Sequence, residues 1–324
     1  MQVKAPAAAC PRLSLGSWPE HMAGWMINRL PTPADWASTF PHCGGLMQSP
    51  INIDTAATRF SPQLTSLLLS GYDLPQGETL CLRNNGHTSE CPPRVAGGLA
   101  SYRAAQLHLH WGSEHSRAGS EHTVDGHRYA GEIHVVHYSS RFASIKEAQG
   151  EPGGLAVLAA FLEVGPEENK PYQHILNHLE AVQDKGEETS IATFDVATLL
   201  PSSLDRYFRY NGSLTTPPCY QTVNWTVFNQ TIRLSQEQVC LDEDQPLQSN
   251  FRLTQGLHGR HVLASFEIPH PGEGATPAGT GSPGGPCLGA MNQIPAAPLE
   301  QTCCPPESGS SCSHRSCCAS RRRG

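Results

Sequence analysis

Gln106 to His137, reading QLHLHWGSEHSRAGSEHTVDGHRYAGEIHVVH, holds seven of the chain's sixteen histidines among residues that favour strands. His108 and His110 stand two apart in Leu-His-Leu-His-Trp. An extended chain sends alternate side chains to opposite faces. Both imidazoles therefore share one face with Gln106, while Leu107, Leu109 and Trp111 share the other. Glu132-Ile-His-Val-Val-His alternates in the same way, with Glu132, His134 and Val136 on one face and Ile133, Val135 and His137 on the other. Two such strands side by side can bring three imidazoles to a point. Three His ligands on rigid strands, with a fourth position left for water, make a catalytic zinc site. Zinc suits imidazole and has no redox chemistry of its own. Gln106 and Glu132 have the parity to accept the distal N–H of a ligand ring and fix its tautomer. His115 and His127 fall in the polar connection and read as solvated. No His-Glu-x-x-His helix occurs, which argues against a zincin protease.

The elements that must position these residues read as a β-rich core. Leu80 to Arg83 is strand-like, and Leu155 to Val164 is a continuous apolar run suited to a strand buried on both faces. Val223-Asn-Trp-Thr-Val-Phe alternates, placing Val223, Trp225 and Val227 together. Phe142 to Gln149 reads as a short helix closed by Gly150. Pro171 opens an amphipathic helix with Ile175, Leu176, Leu179 and Val182 on one side. His174 and His178 lie i, i+4 on that helix and, lacking a third ligand, read as surface residues.

The 324 residues carry a net charge of −7, which gives no support to nucleic-acid binding. No uninterrupted apolar run is long enough to span a membrane. Residues 1–30 lack the basic, apolar, small-residue order of a secretion signal. From Pro269 onward there is no aromatic residue, and Gly, Pro, Ser, Ala and Cys dominate; this tail, 269–324, is expected to be disordered. Six of the twelve cysteines lie in it. Sequons occur at Asn211-Gly-Ser, Asn224-Trp-Thr and Asn229-Gln-Thr; the first lies beside a loop and the second in a strand, so modification is doubtful at both.

Gln106-Leu-His-Leu-His-Trp-Gly, Gly119-Ser-Glu-His-Thr-Val-Asp and Glu132-Ile-His-Val-Val-His together resemble the α-carbonic anhydrase family. The resemblance runs roughly from Trp36 to Phe266. It is nearest to the extracellular isozymes, both membrane-associated (IX, XII, XIV) and secreted (VI). It implies a large twisted, mostly antiparallel sheet with peripheral helices and a conical zinc cavity, in a catalytic domain over 32–268. Residues 1–31 match nothing in the family. The resemblance assigns His108, His110 and His134 to zinc and reversible hydration of carbon dioxide to the site. Three neutral ligands leave the ion its full charge to acidify water.

By the same resemblance, Thr215 in Ser213-Leu-Thr-Thr-Pro-Pro orients the attacking oxygen and donates to Glu121, while Thr216 meets substrate or bicarbonate. Val136, Val157, Leu214, Val223 and Trp225 form the apolar wall for carbon dioxide. His87, in the turn Asn84-Asn85-Gly86-His87-Thr88, carries protons out. His122 and Glu132 are buried supports. Cys43 and Cys219 match a disulfide of the extracellular isozymes, which implies an oxidising compartment. The stretches 89–101 and 237–250 are shorter than in the family, and Cys91-Pro92-Pro93 stands where a strand is expected. Two other readings follow from these features: a non-catalytic binding module of the same fold, or a variant whose trimmed segments impair folding.

Overall fold

The structure is a computed structural model that describes residues 33–73, 79–84, 89–90, 101–113, 116, 118–182, 186–192, 194–239 and 249–268. The expectations for 1–31, His87, His115, Cys91-Pro92-Pro93 and the tail from Pro269 onward lie outside these residues. The strands in chain order are β1 (Asn52–Ile53), β2 (Arg59–Phe60), β3 (Thr79–Asn84), β4 (Ser89–Glu90), β5 (Tyr102–Trp111), β6 (Thr123–Val124) and β7 (Gly131–Ser139). They continue as β8 (Leu155–Gly165), β9 (Glu188–Ala192), β10 (Tyr207–Gly212), β11 (Val223–Phe228), β12 (Ile232–Ser235) and β13 (Leu263–Ala264).

Eight of them form one mixed sheet in the order β2-β13-β10-β11-β8-β7-β5, with β12 also paired to β8. The pairs β5–β7, β7–β8, β10–β11 and β10–β13 are antiparallel; β8 runs parallel to β11 and β12, and β13 to β2. A β-rich fold built on a large sheet is therefore what the chain adopts. The helices are short and peripheral: α1 (Pro33–Thr39), α2 (Ile145–Ala148), α3 (Lys170–Leu176) and α4 (Gln236–Val239).

Alternation along the strands decides what lies on each face. Leu107, Leu109, Trp111, Ile133 and Val135 join one apolar cluster with Leu158 and Tyr172. Val136, Val157, Ala159 and Trp225 join a second cluster on the opposite face. β8 is buried on both sides from Leu155 through Leu162, as its unbroken apolar run requires, and opens to solvent only at its last residues. β11 is buried along its whole length.

Two helices differ from their predicted spans. The first begins at Ile145 rather than Phe142, because the Ser144 side chain accepts from Glu147 N and caps the helix there. The second starts at Lys170, capped by Asn169, and ends at Leu176; residues Leu179–Val182 form a separate 3-10 turn. Ile175, Leu176 and Val182 are nonetheless buried as the periodicity requires. His174 Nε2 donates to Ala192 O (3.1 Å) and His178 Nδ1 to His174 O (2.9 Å), which leaves this pair committed to the backbone.

His137 faces the core opposite the other histidines. Tyr72 hydroxyl donates to its Nε2, and its Nδ1 donates to Ala156 O (3.3 Å). Burial, partly offset by backbone hydrogen bonds, pushes its pKa down to about 4. The unfolded chain thus binds a proton that the folded chain refuses between pH 6.5 and 4. The stability this ring contributes is complete above pH 6.5 and lost as pH falls through that window. Urea unfolding of the metal-free protein should show about 2 kcal/mol more loss between pH 7 and pH 5 than the same measurement on His137→Gln. Equal losses in both proteins would show that this ring is not the titrating group.

Candidate metal centre

β5 and β7 lie in antiparallel register with His108 opposite His134 and His110 opposite Glu132. That register brings His108 Nε2 and His110 Nε2 to 3.2 and 3.1 Å from His134 Nδ1. A tetrahedral zinc with ligand nitrogens at 2.0–2.1 Å requires nitrogen–nitrogen edges of about 3.3–3.4 Å. The observed spacing fits such an ion.

The tautomers follow from what each ring meets on its far side. His134 Nε2 donates to Glu132 Oε1 (2.7 Å), so its Nδ1 presents a lone pair. His110 Nδ1 donates to Asn250 O (2.7 Å), so its Nε2 presents one too. Two lone pairs facing each other at 3.1 Å repel unless a cation lies between them. Protonating His108 and His134 is disfavoured: burial, followed by the neighbouring imidazoles, holds His108 well below the usual range, and burial also lowers His134. Neutral rings are the form that a metal takes. His108, His110 and His134 could therefore hold a divalent ion together.

Behind the rings lies a buried polar cluster. Burial alone would raise Glu132, but its electrostatic contacts and hydrogen bonds with His122 and His134 outweigh that and keep the carboxylate well below its usual range. Glu132 accepts from His122 Nδ1 (2.6 Å) and His122 N (2.8 Å) as well as from His134. His122 Nε2 is hydrogen-bonded to the Tyr210 hydroxyl (2.6 Å), which meets Ser49 Oγ at 2.9 Å. Ser49 in turn exchanges bonds with Ser213, at the start of the loop that carries Thr215.

A family model for the eukaryotic-type carbonic anhydrases matches residues 31–266. This chain belongs to that family. It is 43% identical to carbonic anhydrase 6 of Bos taurus over 251 residues, covering 73% of this chain and 78% of the relative. It is 40% identical to carbonic anhydrase 12 of Homo sapiens over 248 residues, covering 71% and 70%. Carbonic anhydrase 15 of Mus musculus is 38% identical over 260 residues, covering 72% and 80%.

In this member of the family one pocket gathers most of the residues named from the sequence. Gln106, His108, His110, His134, Val136, Val157, Leu214, Thr215, Thr216 and Trp225 all line it. Val223 does not. It shares the face of Trp225 but lies two residues along β11, in register with Leu155, and it is Leu155 that reaches the pocket. Ile145 and Gln149 complete the lining and escaped the sequence reading, since they come from α2 and the turn after it. Gln106 occupies the predicted face without making the predicted bond: among the described residues His108 Nδ1 is buried with no partner.

Glu121 is 1% exposed, and its Oε1 accepts from Arg252 N (2.8 Å). Its Oε2 lies 3.5 Å from His110 Nε2 and carries no hydrogen bond, so the expected Thr215–Glu121 bond is absent here. Asn250 and Arg252 are the supports that sequence reasoning missed. Asn250 holds β5 through Trp111 N (2.8 Å) as well as through His110. Arg252 is buried, its Nη1 donating to Gln48 Oε1 and Ser49 O (both 2.9 Å) and its Nη2 to Cys43 O (3.3 Å). Cys43 and Cys219 form a disulfide, with Cα atoms 4.9 Å apart.

Proposed function

We propose that this chain is a zinc-dependent enzyme that interconverts carbon dioxide and bicarbonate, with residues 32–268 as its catalytic domain. The observation that carries the reading is the pair of opposed lone pairs on His110 and His134, 3.1 Å apart, with His108 Nε2 at 3.2 Å from the same His134 Nδ1. Zinc held by these three neutral rings would make hydroxide available near pH 7. Everything else is supplied by the chain. Glu132 sets the tautomer of His134, and Asn250 that of His110. Thr215 would accept a hydrogen bond from the attacking oxygen and donate its own to Glu121 Oε2; its position in the pocket lining and the buried Oε2 with no donor support this role.

Val136, Val157, Leu214 and Trp225 give carbon dioxide an apolar wall, with Val223 packed behind it, while Thr216 offers bicarbonate a polar contact. Gln106 and His122 act as supports. His87 would pass the product proton to solvent; its assignment rests on its place in the Asn84–Thr88 turn. The Cys43–Cys219 bridge favours an oxidising, extracellular or secretory setting. Among the described residues no helix is long and apolar enough to cross a membrane.

Purified full chain should contain about one equivalent of zinc and hydrate carbon dioxide in a sulfonamide-sensitive manner. A chelator should abolish turnover, and added zinc should restore it. Folded, zinc-loaded but inert protein would instead support the binding module. A folded protein that takes up no zinc would end the proposal.

A further inference from the structure

We propose that Asn229 is an N-glycan acceptor and that, of the three sequons, it alone is usable. The inference rests on the secretory reading of the Cys43–Cys219 bridge. A glycan is bulky and hydrated, so its asparagine must point into solvent in the folded chain. Asn224 fails this. It is 7% exposed in the middle of β11, flanked in register by Asn211 on β10 and Ala156 on β8. Asn211 fails as well: its Oδ1 accepts from Asn224 Nδ2 (3.3 Å), and its carbonyl accepts from Arg260 Nη1 (3.0 Å). A sugar on Asn224 Nδ2 would load the donor of this cross-strand pair, and one on Asn211 would have to leave the half-buried centre of the same β10–β11 pair.

Asn229 differs in every respect. It stands one residue past the end of β11, in the bend leading to β12, and both it and Gln230 are exposed. Its backbone N–H is anchored to Arg206 O (3.0 Å), while its side-chain amide makes no hydrogen bond among the described residues. Gln230, the middle residue, is not proline and is held by Ser203 N at its Oε1 (3.0 Å). Thr231 supplies the hydroxyl that the acceptor motif requires. Asn229 lies four residues beyond Trp225, roughly 13 Å along the strand, so a glycan there leaves the pocket open.

The test is secretion of the full chain from a eukaryotic cell, with and without an added cleavable leader, followed by peptide-N-glycosidase treatment and peptide mapping. With the leader, one glycan should be released, leaving aspartate at position 229 and unmodified Asn211 and Asn224. Asn229→Gln and Thr231→Ala should each abolish the mass shift and leave carbon dioxide hydration unchanged. Secreted chain with the Cys43–Cys219 bridge intact and a bare Asn229, or with sugar on Asn211 or Asn224, would overturn the proposal. Leader-directed chain that carries a glycan at Asn229 but leaves Cys43 and Cys219 as free thiols would support the acceptor while overturning the secretory reading of the bridge.

Discussion

His110→Ala is expected to remove both zinc and turnover while leaving the sheet folded. The ring is one of three donors, and an ion bound by roughly 10 kcal/mol loses about a third of that with it, a drop of 100- to 1000-fold in zinc affinity. Two further losses follow. Asn250 O loses the N–H that it holds, and the remaining lone pairs of His108 and His134 no longer converge on a point with three donors. Carbon dioxide hydration should fall to the uncatalysed background at micromolar zinc. Metal analysis by mass spectrometry, with circular dichroism as the check on folding, reads the result. A folded His110→Ala protein that keeps both its zinc and its activity would show that the metal sits elsewhere and would undo the assignment of all three ligands.

The strands that carry these ligands were legible because strand parity is exact. A two-residue period leaves no freedom in which face His108, His110 and His134 occupy once β5 and β7 are extended. The same rule placed Leu107, Leu109, Trp111, Ile133 and Val135 in the opposite cluster. Parity says nothing about reach along a strand, however. Val223 and Trp225 share a face, yet only Trp225 reaches the pocket, because that depends on the register of β11 against β8. Gln106 illustrates a second limit: a correct face does not dictate a hydrogen bond. The supports from Asn250 and Arg252 were hidden for another reason. His110 is held by a backbone carbonyl 140 residues away, and Glu121 by a backbone N–H 131 residues away. Backbone groups leave no side-chain signature. The break between Leu176 and Leu179 escaped because 3.6-residue periodicity cannot register a switch to a 3-10 turn.

Losing the Cys43–Cys219 bridge should cost both stability and catalysis, and the two losses can be separated. The bridge closes a loop of 176 residues, for which chain entropy alone gives about 5 kcal/mol of restraint on the unfolded chain. In a domain of this size that corresponds to a melting temperature lower by roughly 10 °C or more. Geometry adds a second effect. Cys219 is fully buried, and its N–H donates to Thr216 O (2.9 Å), so the bridge pins the loop that presents Thr215 and Thr216 to the pocket. At its other end Cys43 O accepts from Arg252, whose own N–H holds Glu121. The two groups proposed to aim the attacking oxygen are thereby fastened to opposite ends of one covalent link. Cys43→Ala/Cys219→Ala should lower kcat by on the order of 10- to 100-fold at temperatures where the protein is still folded, with zinc content unchanged. Reduction of the native protein should reproduce both effects without any substitution. If reduction lowers the melting temperature but leaves kcat intact, the loop is held instead by the paired Ser49–Ser213 bonds (2.9 and 3.0 Å), and the bridge acts on the unfolded chain alone.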